Sequence, residues 1–406
     1  MPLEFPIYLD YHATTPVDPR ALEAMLPYFT KHFGNAASRS HAYGWEAEKA
    51  VDRARGQLAA LVGASPGEMI FTSGATESNN LALKGLAASA RGRGDHIITT
   101  VIEHKSVLDV CKQLEKDGWR VTHLPVSSDG RVDPDAVRQA ITPRTVVVSV
   151  MAANNEMGAI QPLAEIGAIT RERGVLLHTD ASQAAGKIPL NVRTLNVDLM
   201  SLTGHKMYGP KGVGALFIRR GSPRIELTPL LHGGGHERGI RSGTLNVPGI
   251  VGFGRAAEIN AAEMPAESAR LAALRDRLFE GLSSRLSGVG LNGPREGRLP
   301  HNLNVHFTGV EGESILMAID DIALSSGSAC SSGTIEPSYV LKALGLSDTL
   351  ALASLRFGLG RFTTQEEVDY AVEKVAKVIT QLRDRRAAAR GGRQASTSVT
   401  SSPLVT

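Results

Sequence analysis

The segment Leu163–Arg173 (LAEIGAITRER), followed after one glycine by residues 175–179 (VLLHT), decides the fold class of this chain. The first segment spaces its apolar residues as a helix does, whereas the second is a short apolar run without period-two alternation. A helix that leads directly into a strand with two apolar faces is typical of a parallel sheet covered by helices. The sequence therefore predicts an α/β architecture.

The same alternation of helix and strand patterns extends in both directions from this unit. Helical patterns at 45–62 and 78–90 separate some of the candidate strands. Besides 175–179, the candidate strands are Met69–Thr72, 96–101, 121–124, 145–151, 199–202 and Gly214–Ile218. We expect a mostly parallel seven-stranded sheet.

The length of 406 residues exceeds what one hydrophobic core normally supports, so we expect two domains. The pattern changes near Pro248, where a long helical stretch begins that Pro265 should break in two. Strand-like and helical segments then follow at Asn302–Phe307, 322–325, 338–344 and 365–386. We therefore predict a large domain (16–260), a smaller α+β domain (1–15 and 261–386) and a disordered tail (387–406).

Composition places the chain among globular proteins, with 42% hydrophobic and 21% charged residues. A net charge of +3, concentrated near the C-terminus, gives no argument for a nucleic acid or a membrane as the main partner. Two distant cysteines do not form a disulfide framework, which favours a reducing compartment. The first ten residues carry no secretory pattern, and no stretch has the apolar length of a membrane span, so we expect a cytoplasmic protein.

A lysine lies in the glycine-rich stretch directly after one of the strands, within residues 201–212 (SLTGHKMYGPKG). Ligands of open α/β sheets bind beyond the carboxyl ends of the strands, and Lys206 is placed there. A buried lysine with a lowered pKa is the nucleophile of Schiff-base chemistry. Because a loop lysine is more often a solvated charge, this feature alone only suggests a covalent cofactor site.

A carboxylate ends the strand at 175–179, in the sequence HTDASQ. Burying Asp180 there is costly unless it is paired, and a protonated pyridine nitrogen is a suitable partner. Gln183, one turn later, could donate to a phenolate oxygen of the same ligand. An N-cap role for Asp180 is equally common in isolation. The strand–loop–strand interval between Asp180 and Lys206 would place them on neighbouring strands, which favours the cofactor interpretation.

Two further segments suit the same ligand. In residues 70–80 (IFTSGATESNN) a strand leads into a helix start, where backbone N–H groups and the Thr76 hydroxyl can hold a phosphate. The segment lacks the GxxxxGK[ST] pattern, which disfavours a nucleoside triphosphate. His104 follows the strand at 96–101 and could stack on a ring and transfer protons, although most histidines do neither.

The two cysteines differ in their surroundings. Cys330 lies in a run of Ser, Gly and Ala (SSGSACSSGT) with no apolar residue to bury it, which predicts an accessible thiol in a mobile loop. Cys111 lies in the helical pattern at 107–114 and has the character of a structural thiol.

Eight motifs in this order resemble the cysteine desulfurases of the bacterial ISC and NIF type, within the class-V aminotransferase family. They are TSGATESNN, IEHKSV, AANNEMG, HTDASQ, the SLTGHK segment, RSGTLN, GSACSSG and SLRFGLGRFTT. The likeness covers about residues 7 to 384. It implies a fold-type I enzyme dependent on pyridoxal phosphate (PLP), active as a homodimer.

The resemblance also assigns roles to individual residues. Lys206 would bind PLP covalently, with Asp180 on the pyridine nitrogen, Gln183 on the ring hydroxyl oxygen and His104 stacked on the ring. The phosphate would be bound by Ala75, Thr76, Thr203, His205 and, reaching across the dimer, Thr244 of the partner subunit. Asn155, also a cofactor contact, and Arg356 would hold the substrate carboxylate, a task that suits a guanidinium.

The implied reaction removes sulfur from L-cysteine and leaves L-alanine and a persulfide on Cys330. The cysteine segment resembles the long-loop group of these enzymes. The persulfide would supply an iron–sulfur scaffold protein, with tRNA thiolation as a further route. The sequence predicts no intrinsic metal site, while Cys330 is a candidate ligand of a [2Fe–2S] cluster shared with a scaffold. After the last helix, a basic stretch at 385–393 replaces the scaffold-docking segment of ISC enzymes, so a NIF-like role stays open.

Two other readings remain. A selenocysteine lyase or an aminotransferase of the same fold would not need Cys330. A sulfur-relay or scaffold protein that has lost its chemistry would not be expected to keep both Lys206 and Asp180.

Overall fold

The computed structural model describes residues 3–90, 92–221, 224–326, 328–331 and 334–397, with some side chains of 313, 328–335 and 389–397 left aside. The chain divides into two compact units. The large unit comprises Tyr11–Arg270 and Gly293–Pro300, and the small unit comprises the described parts of Met1–Asp10, Leu271–Asn292 and His301–Thr406. The division lies at 10/11 and 270/271, whereas the sequence suggested 15/16 and 260/261.

The elements are numbered along the chain. The strands are β1 (Ile7–Tyr8), β2 (Met69–Thr72), β3 (His96–Thr100), β4 (Arg120–Leu124), β5 (Thr145–Ser149), β6 (Leu176–Asp180), β7 (Leu199–Thr203), β8 (Gly214–Ile218), β9 (Val289–Leu291), β10 (Asn302–Phe307), β11 (Ile322–Ala323), β12 (Ser325–Ser326), β13 (Ser328–Ser331), β14 (Thr334–Pro337) and β15 (Ser354–Gly358). The helices are α1 (Pro19–Met25), α2 (Pro27–Thr30), α3 (Ala42–Leu61), α4 (Ala75–Ser89), α5 (Lys105–Lys116), α6 (Pro134–Ala140), α7 (Leu163–Arg173), α8 (Val247–Arg285), α9 (Gly312–Ala318), α10 (Tyr339–Ala343), α11 (Asp348–Leu352) and α12 (Gln365–Thr397).

The large unit is built on a seven-stranded sheet with the order β2-β8-β7-β6-β5-β3-β4. Strand β8 is antiparallel to both of its neighbours, and the other strands run parallel, so the predicted mostly parallel sheet is confirmed. Successive residues of one strand belong to two different apolar clusters, as Val147 and Val148 do. Both faces of the sheet are therefore covered, which explains why its strands read as continuous apolar runs.

The small unit contains an antiparallel sheet of order β12-β15-β10-β9, a short parallel pair of β1 with β11, and a hairpin of β13 with β14. Its core packs the buried residues of β10 and β15 against α8, α9 and α12. Within the part of the chain that the structure describes, no helix combines the length and apolarity needed to cross a membrane.

Three sequence predictions differ from the structure. Helix α8 runs through Pro265 without the predicted break; Pro265 and Ala261 are exposed, so solvent can satisfy the Ala261 carbonyl that loses its helical N–H partner. Helix α12 continues to Thr397, whereas the sequence suggested a tail from residue 387; alanine and arginine in 387–397 favour a helix. Residues 398–406 of the predicted tail lie outside the described residues.

The third difference concerns the segment of Cys330, which was predicted to be a loop. Its backbone forms the strand β13, in which Cys330 pairs with Ile335 of β14. The β-branched residues Thr334 and Ile335 favour this extended pairing. The side chain of Cys330 lies outside the described part of the structure.

Candidate functional site

A cavity of about 590 Å³ lies in the large unit, at the edge of the sheet where β6 and β7 end. This edge is where open α/β sheets bind ligands. Residues predicted from the sequence line it, namely Ala75, Thr76, His104, Asn155, Asp180, Gln183, Thr203, His205 and Lys206. The structure thus brings together segments that are separated by up to 131 positions in the sequence (75 to 206).

The start of α4 forms one wall of this cavity. Gly74 caps the helix with a φ of 156°, a conformation that favours glycine, and Ala75 and Thr76 follow as its first residues. Gly214 packs so closely beneath it that a Cβ there would lie 2.6 Å from the Gly74 Cα. The first N–H groups of a 15-residue helix therefore face the cavity and, with its dipole, suit a phosphate.

Asp180 is buried at the end of β6 and is well supplied with hydrogen-bond donors. It accepts bonds from the Ser182 backbone N–H (2.9 Å), the Ser182 hydroxyl (2.5 Å) and the Asn79 side-chain amide (2.8 Å). Burial acts to raise the pKa of Asp180, but these bonds and the nearby His104 lower it overall. An ionised carboxylate at the floor of the cavity matches the cationic ring nitrogen of a bound ligand.

A chain of hydrogen bonds links Asp180 to His104. The Asn79 amide that binds Asp180 also donates to the Ser106 hydroxyl at 2.8 Å. That hydroxyl lies 2.8 Å from His104 Nδ1, which also accepts the Ser106 backbone N–H. Because a backbone N–H can only donate, Nδ1 is the acceptor and the proton of the neutral ring is on Nε2. Burial, together with the positive charge of Lys206, lowers the pKa of His104 and keeps the ring neutral.

Two further polar residues are held in fixed orientations. The Gln183 side chain donates to the His12 carbonyl (3.0 Å), and its oxygen lies 3.0 Å from His12 Nδ1. His205 Nδ1 contacts the Thr14 hydroxyl at 3.2 Å. Burial and the charge of Lys206 lower the pKa of His205 to about 4. His205 is therefore a neutral hydrogen-bonding group at neutral pH.

Lys206 lies in a short 3-10 turn (Gly204–Lys206) that follows β7 directly. The strands β6 and β7 are adjacent and parallel, so Asp180 and the turn of Lys206 end at the same edge of the sheet, as the sequence suggested. The residues after the turn are fixed: the Asn260 amide of α8 donates to the Met207 carbonyl at 2.8 Å, and Tyr208 adopts a φ of 63°. The backbone therefore holds Lys206 in the cavity rather than on the surface.

The other predicted site residues lie outside this cavity. Thr244 is exposed in the loop before α8, within the large unit. Arg356 lies on β15 of the small unit, where its guanidinium donates to the Asp10 carboxylate (2.9 Å) and the Ser325 hydroxyl (3.1 Å). Cys330 is on β13 of the small unit.

Some residues of the site were not predicted from the sequence. Asn79 and Ser106, which connect Asp180 to His104, had no assigned role. A signal exists for Asn79, because it shares the buried face of α4 with Leu83 and Leu86, where a polar side chain needs partners. Glu103, the residue before His104, also had no assigned role.

Glu103 is a second buried carboxyl group close to the site. One of its oxygens accepts the Thr100 hydroxyl (2.8 Å) and the Met151 backbone N–H (2.9 Å). Burial, with the negative charge of Asp180 added to it, raises the pKa of Glu103 to about 8. Glu103 is therefore mostly protonated at neutral pH.

Comparison with known proteins identifies the family of the chain. Residues 7–371 match the family described as Aminotransferase class-V. The cysteine desulfurase IscS of Anaeromyxobacter dehalogenans (strain 2CP-C) is 58% identical to this chain over 94% of each sequence. Among solved structures, a NifS-like protein has a TM-score of 0.87 at 39% identity over 93% of this chain and all of its own. SspA in complex with cysteine has a TM-score of 0.78 at 37% identity over 88% of this chain and all of its own. The chain belongs to the class-V aminotransferase family and, within it, to the cysteine desulfurases.

Proposed function

We propose that this protein is a PLP-dependent cysteine desulfurase that transfers sulfur from L-cysteine to its own Cys330. The observation that carries the proposal is the single cavity shared by Lys206, the ionised Asp180, the neutral His104 and the start of α4. These groups match a ligand with a carbonyl carbon, a cationic ring nitrogen and a phosphate. The lysine distinguishes this arrangement from a site for a non-covalent phosphate ligand.

The residues present fit the cofactor. Lys206 would bind the PLP carbonyl carbon, Asp180 the ring nitrogen and Gln183 the ring hydroxyl oxygen. The phosphate would be bound at the start of α4 by Ala75 and Thr76, together with Thr203 and His205. When bound, PLP supplies an electron sink for charge that develops on the substrate carbons.

The chain itself supplies the groups that handle protons. The Lys206 amine, once released, would accept the proton from the substrate Cα and later return one. The Nε2–H of His104 is available as a donor on the cavity side, because Nδ1 is occupied by Ser106. Asn155 and Arg356 would hold the substrate carboxylate. The contact of Arg356 with Asp10 fixes the guanidinium on β15.

Sulfur transfer would then occur on Cys330. The thiolate forms an S–S bond with the substrate sulfur, the substrate S–Cβ bond breaks, and its electron pair remains on the three-carbon fragment. Protonation of that fragment gives alanine, so one cysteine is converted into one alanine and one persulfide. The persulfide sulfur would pass to an acceptor, for which we propose an iron–sulfur scaffold protein in the cytoplasm, and tRNA thiolation as a further route. Cys330 would also be the residue to ligate a [2Fe–2S] cluster being built there.

The function is tested by measuring alanine and sulfide released from L-cysteine in the presence of a thiol reductant. The parent should release them in equal amounts, and Cys330→Ala should release neither, while Lys206→Ala should also lose the visible cofactor absorbance. Cys111→Ala is the matched control, because the buried Cys111 thiol has its pKa raised to about 12 and stays protonated. Full activity of Cys330→Ala would contradict the persulfide route and favour a direct lyase.

We also propose that the enzyme is a homodimer in which Thr244 reaches the phosphate of the second copy. Thr244 is exposed and lies outside its own cavity, as this role requires. Exposed apolar side chains of the large unit would suit contact with a second copy, and six of them lie within residues 22–45: Leu22, Leu26, Phe29, Phe33, Tyr43 and Trp45. Sedimentation of the full chain tests this proposal, and a monomer at micromolar concentration would contradict it.

A further inference from the structure

A carboxylate lines the cavity beside the proposed phosphate site. Glu77 is in the first turn of α4, lines the cavity, and accepts the Ser73 backbone N–H at 2.7 Å. It therefore takes one of the backbone donors at the helix start. Its negative charge also lies in the positive potential of the helix N-terminus, where a phosphate would bind.

This position of Glu77 is unfavourable for an anionic ligand. Two negative groups that share one helix N-terminus repel each other, and the repulsion is stronger in a partly buried site than in water. The side chain of Glu77 is only 15% exposed, so solvent does not screen it well. The site needs a compensating positive charge.

Arg241 provides that charge. Its Nε donates to Glu77 Oε1 at 2.8 Å and its Nη2 to Oε2 at 3.3 Å, which is a two-point contact. The Arg241 side chain is 19% exposed. Burial acts to raise the pKa of Glu77, but the bonds from Arg241 and Ser73 lower it overall, so the pair is an ionised one.

The loop that carries Arg241 is anchored before the arginine. Glu237, buried and with a φ of 48°, makes a double hydrogen bond to Arg55 of α3 (2.7 and 2.8 Å) and accepts the Phe71 backbone N–H of β2 at 2.7 Å. Gly239 and Gly243, on either side of Arg241, have φ values of 79° and 122° that favour glycine. Arg241 is therefore held in place independently of any ligand.

We propose that Arg241 is a positioning residue for the cofactor phosphate, which it serves by neutralising Glu77 at the start of α4. This inference rests on the proposed PLP site. Arg241 need not touch the phosphate. It cancels the charge of a carboxylate that would otherwise compete with the phosphate for the helix N-terminus.

A purely structural role is the rival explanation, since Arg241 is three residues before Thr244 and could simply hold that loop. The two roles differ in their response to Glu77. If Arg241 acts by charge, removing the Glu77 charge makes the arginine unnecessary. If Arg241 holds the loop, removing the Glu77 charge rescues nothing.

The test measures the binding of PLP and of pyridoxal, which lacks the phosphate, by equilibrium dialysis of the full-length enzyme. Arg241→Gln should weaken PLP binding by roughly tenfold and leave pyridoxal binding within about twofold. The double variant Arg241→Gln/Glu77→Gln should regain most of the affinity for PLP. Arg138→Gln is the control for loss of an arginine charge, because Arg138 forms an exposed ion pair with Glu172 (2.8 Å) away from the cavity.

Three results would overturn the proposal. The first is unchanged PLP binding in Arg241→Gln. The second is a double variant as weak as Arg241→Gln, or a loss that affects pyridoxal equally, since either indicates a structural role. The third is a parent enzyme that binds pyridoxal as tightly as PLP. In that case the phosphate would contribute nothing to binding, and α4 would not be its binding site. Because sulfur release is measured separately, the third result is distinguishable from failure of the desulfurase function.

Discussion

The carboxyl groups of Asp180 and Glu103 are both buried near one edge of the same sheet, yet their pKa values move in opposite directions. The pKa of Asp180 is lowered and that of Glu103 is raised to about 8. Burial acts to raise both. The difference therefore comes from what surrounds each carboxyl group rather than from its depth.

The hydrogen-bond donors account for the difference. Asp180 receives three bonds spread over both oxygens, and His104 lies nearby. Glu103 receives two bonds on one oxygen, and the nearest charge acting on it is the negative one of Asp180. One buried carboxylate is thus kept ionised, as its proposed role on the ring nitrogen requires, while its buried neighbour Glu103 is left mostly protonated.

The largest effect is expected from Asp180→Asn. The asparagine keeps the shape but cannot stabilise a protonated ring nitrogen, so kcat for alanine formation should fall by about a hundredfold to a thousandfold. Because the charge of Asp180 raises the pKa of Glu103, that pKa should fall in the variant. Steady-state kinetics and the cofactor absorbance spectrum check the first effect, and the pH dependence of stability checks the second.

Glu103→Gln serves as the control for this experiment, since Gln replaces a carboxyl group that is already mostly neutral. An Asp180→Asn enzyme with kcat within tenfold of the parent would show that the carboxylate is not the partner of the ring nitrogen. The contrast between the two carboxyl groups would then have no catalytic meaning.

The contrast between Asp180 and Glu103 also shows which features of the site can be predicted from the sequence. Asp180 was singled out because a carboxylate that ends an apolar strand needs a partner, and its position at the same sheet edge as Lys206 follows from the adjacency of β6 and β7. The difference between Asp180 and Glu103 could not be predicted. It depends on donors from α4, β3 and the segments that follow β5 and β6, whose alignment is set by tertiary packing.

The fold also divides into features that the sequence predicts and features that depend on tertiary packing. All seven strands of the large sheet were predicted, with ends that differ by at most two residues, because burial on both faces leaves a strong apolar signal. The antiparallel direction of β8 has no such signal. The β13–β14 hairpin was missed because Ser, Gly and Ala have no strong preference for strands, and pairing across the hairpin decides their conformation.

An intermediate effect is expected from Asn79→Ala, which removes one donor from Asp180. The pKa of Asp180 should rise toward its ordinary value, so less of it is ionised at acidic pH. Because a carboxyl at or below its ordinary pKa stays ionised near neutral pH, kcat should fall by roughly threefold to tenfold to a similar extent across the neutral range, through the lost donor alone. The pKa change should appear in stability, as a deficit relative to the parent that narrows when the pH falls through about 4. Steady-state kinetics near neutral pH and denaturant unfolding between about pH 3 and about pH 7 check the two effects.

Asn80→Ala is the matched control for Asn79→Ala. Asn80 is on the same helix, but its amide donates to the Thr76 carbonyl (2.9 Å) and not to Asp180. Its stability should follow the pH dependence of the parent. A stability deficit in Asn79→Ala that stays the same as the pH falls through about 4 would mean that the asparagine orients the site without acting on the pKa of Asp180.

The smallest effect on activity, within about threefold, is expected from Glu103→Gln, because Gln can still accept hydrogen bonds from Thr100 and Met151.

The stability of Glu103→Gln should change more clearly than its activity. The Glu103 carboxyl ionises near pH 4.5 when the chain is unfolded and near pH 8 when it is folded, so its contribution to the free energy of unfolding is fully present below about pH 4.5 and is lost as the pH rises through about 8. Glu103→Gln should flatten this decline in denaturant unfolding between about pH 5 and about pH 9. Glu172→Gln, at a surface carboxylate whose pKa is lowered by Arg138, should leave the decline intact. A decline that persists in Glu103→Gln would show that Glu103 is not the source of the decline, and that the two buried carboxyl groups do not differ in ionisation as their pKa values indicate.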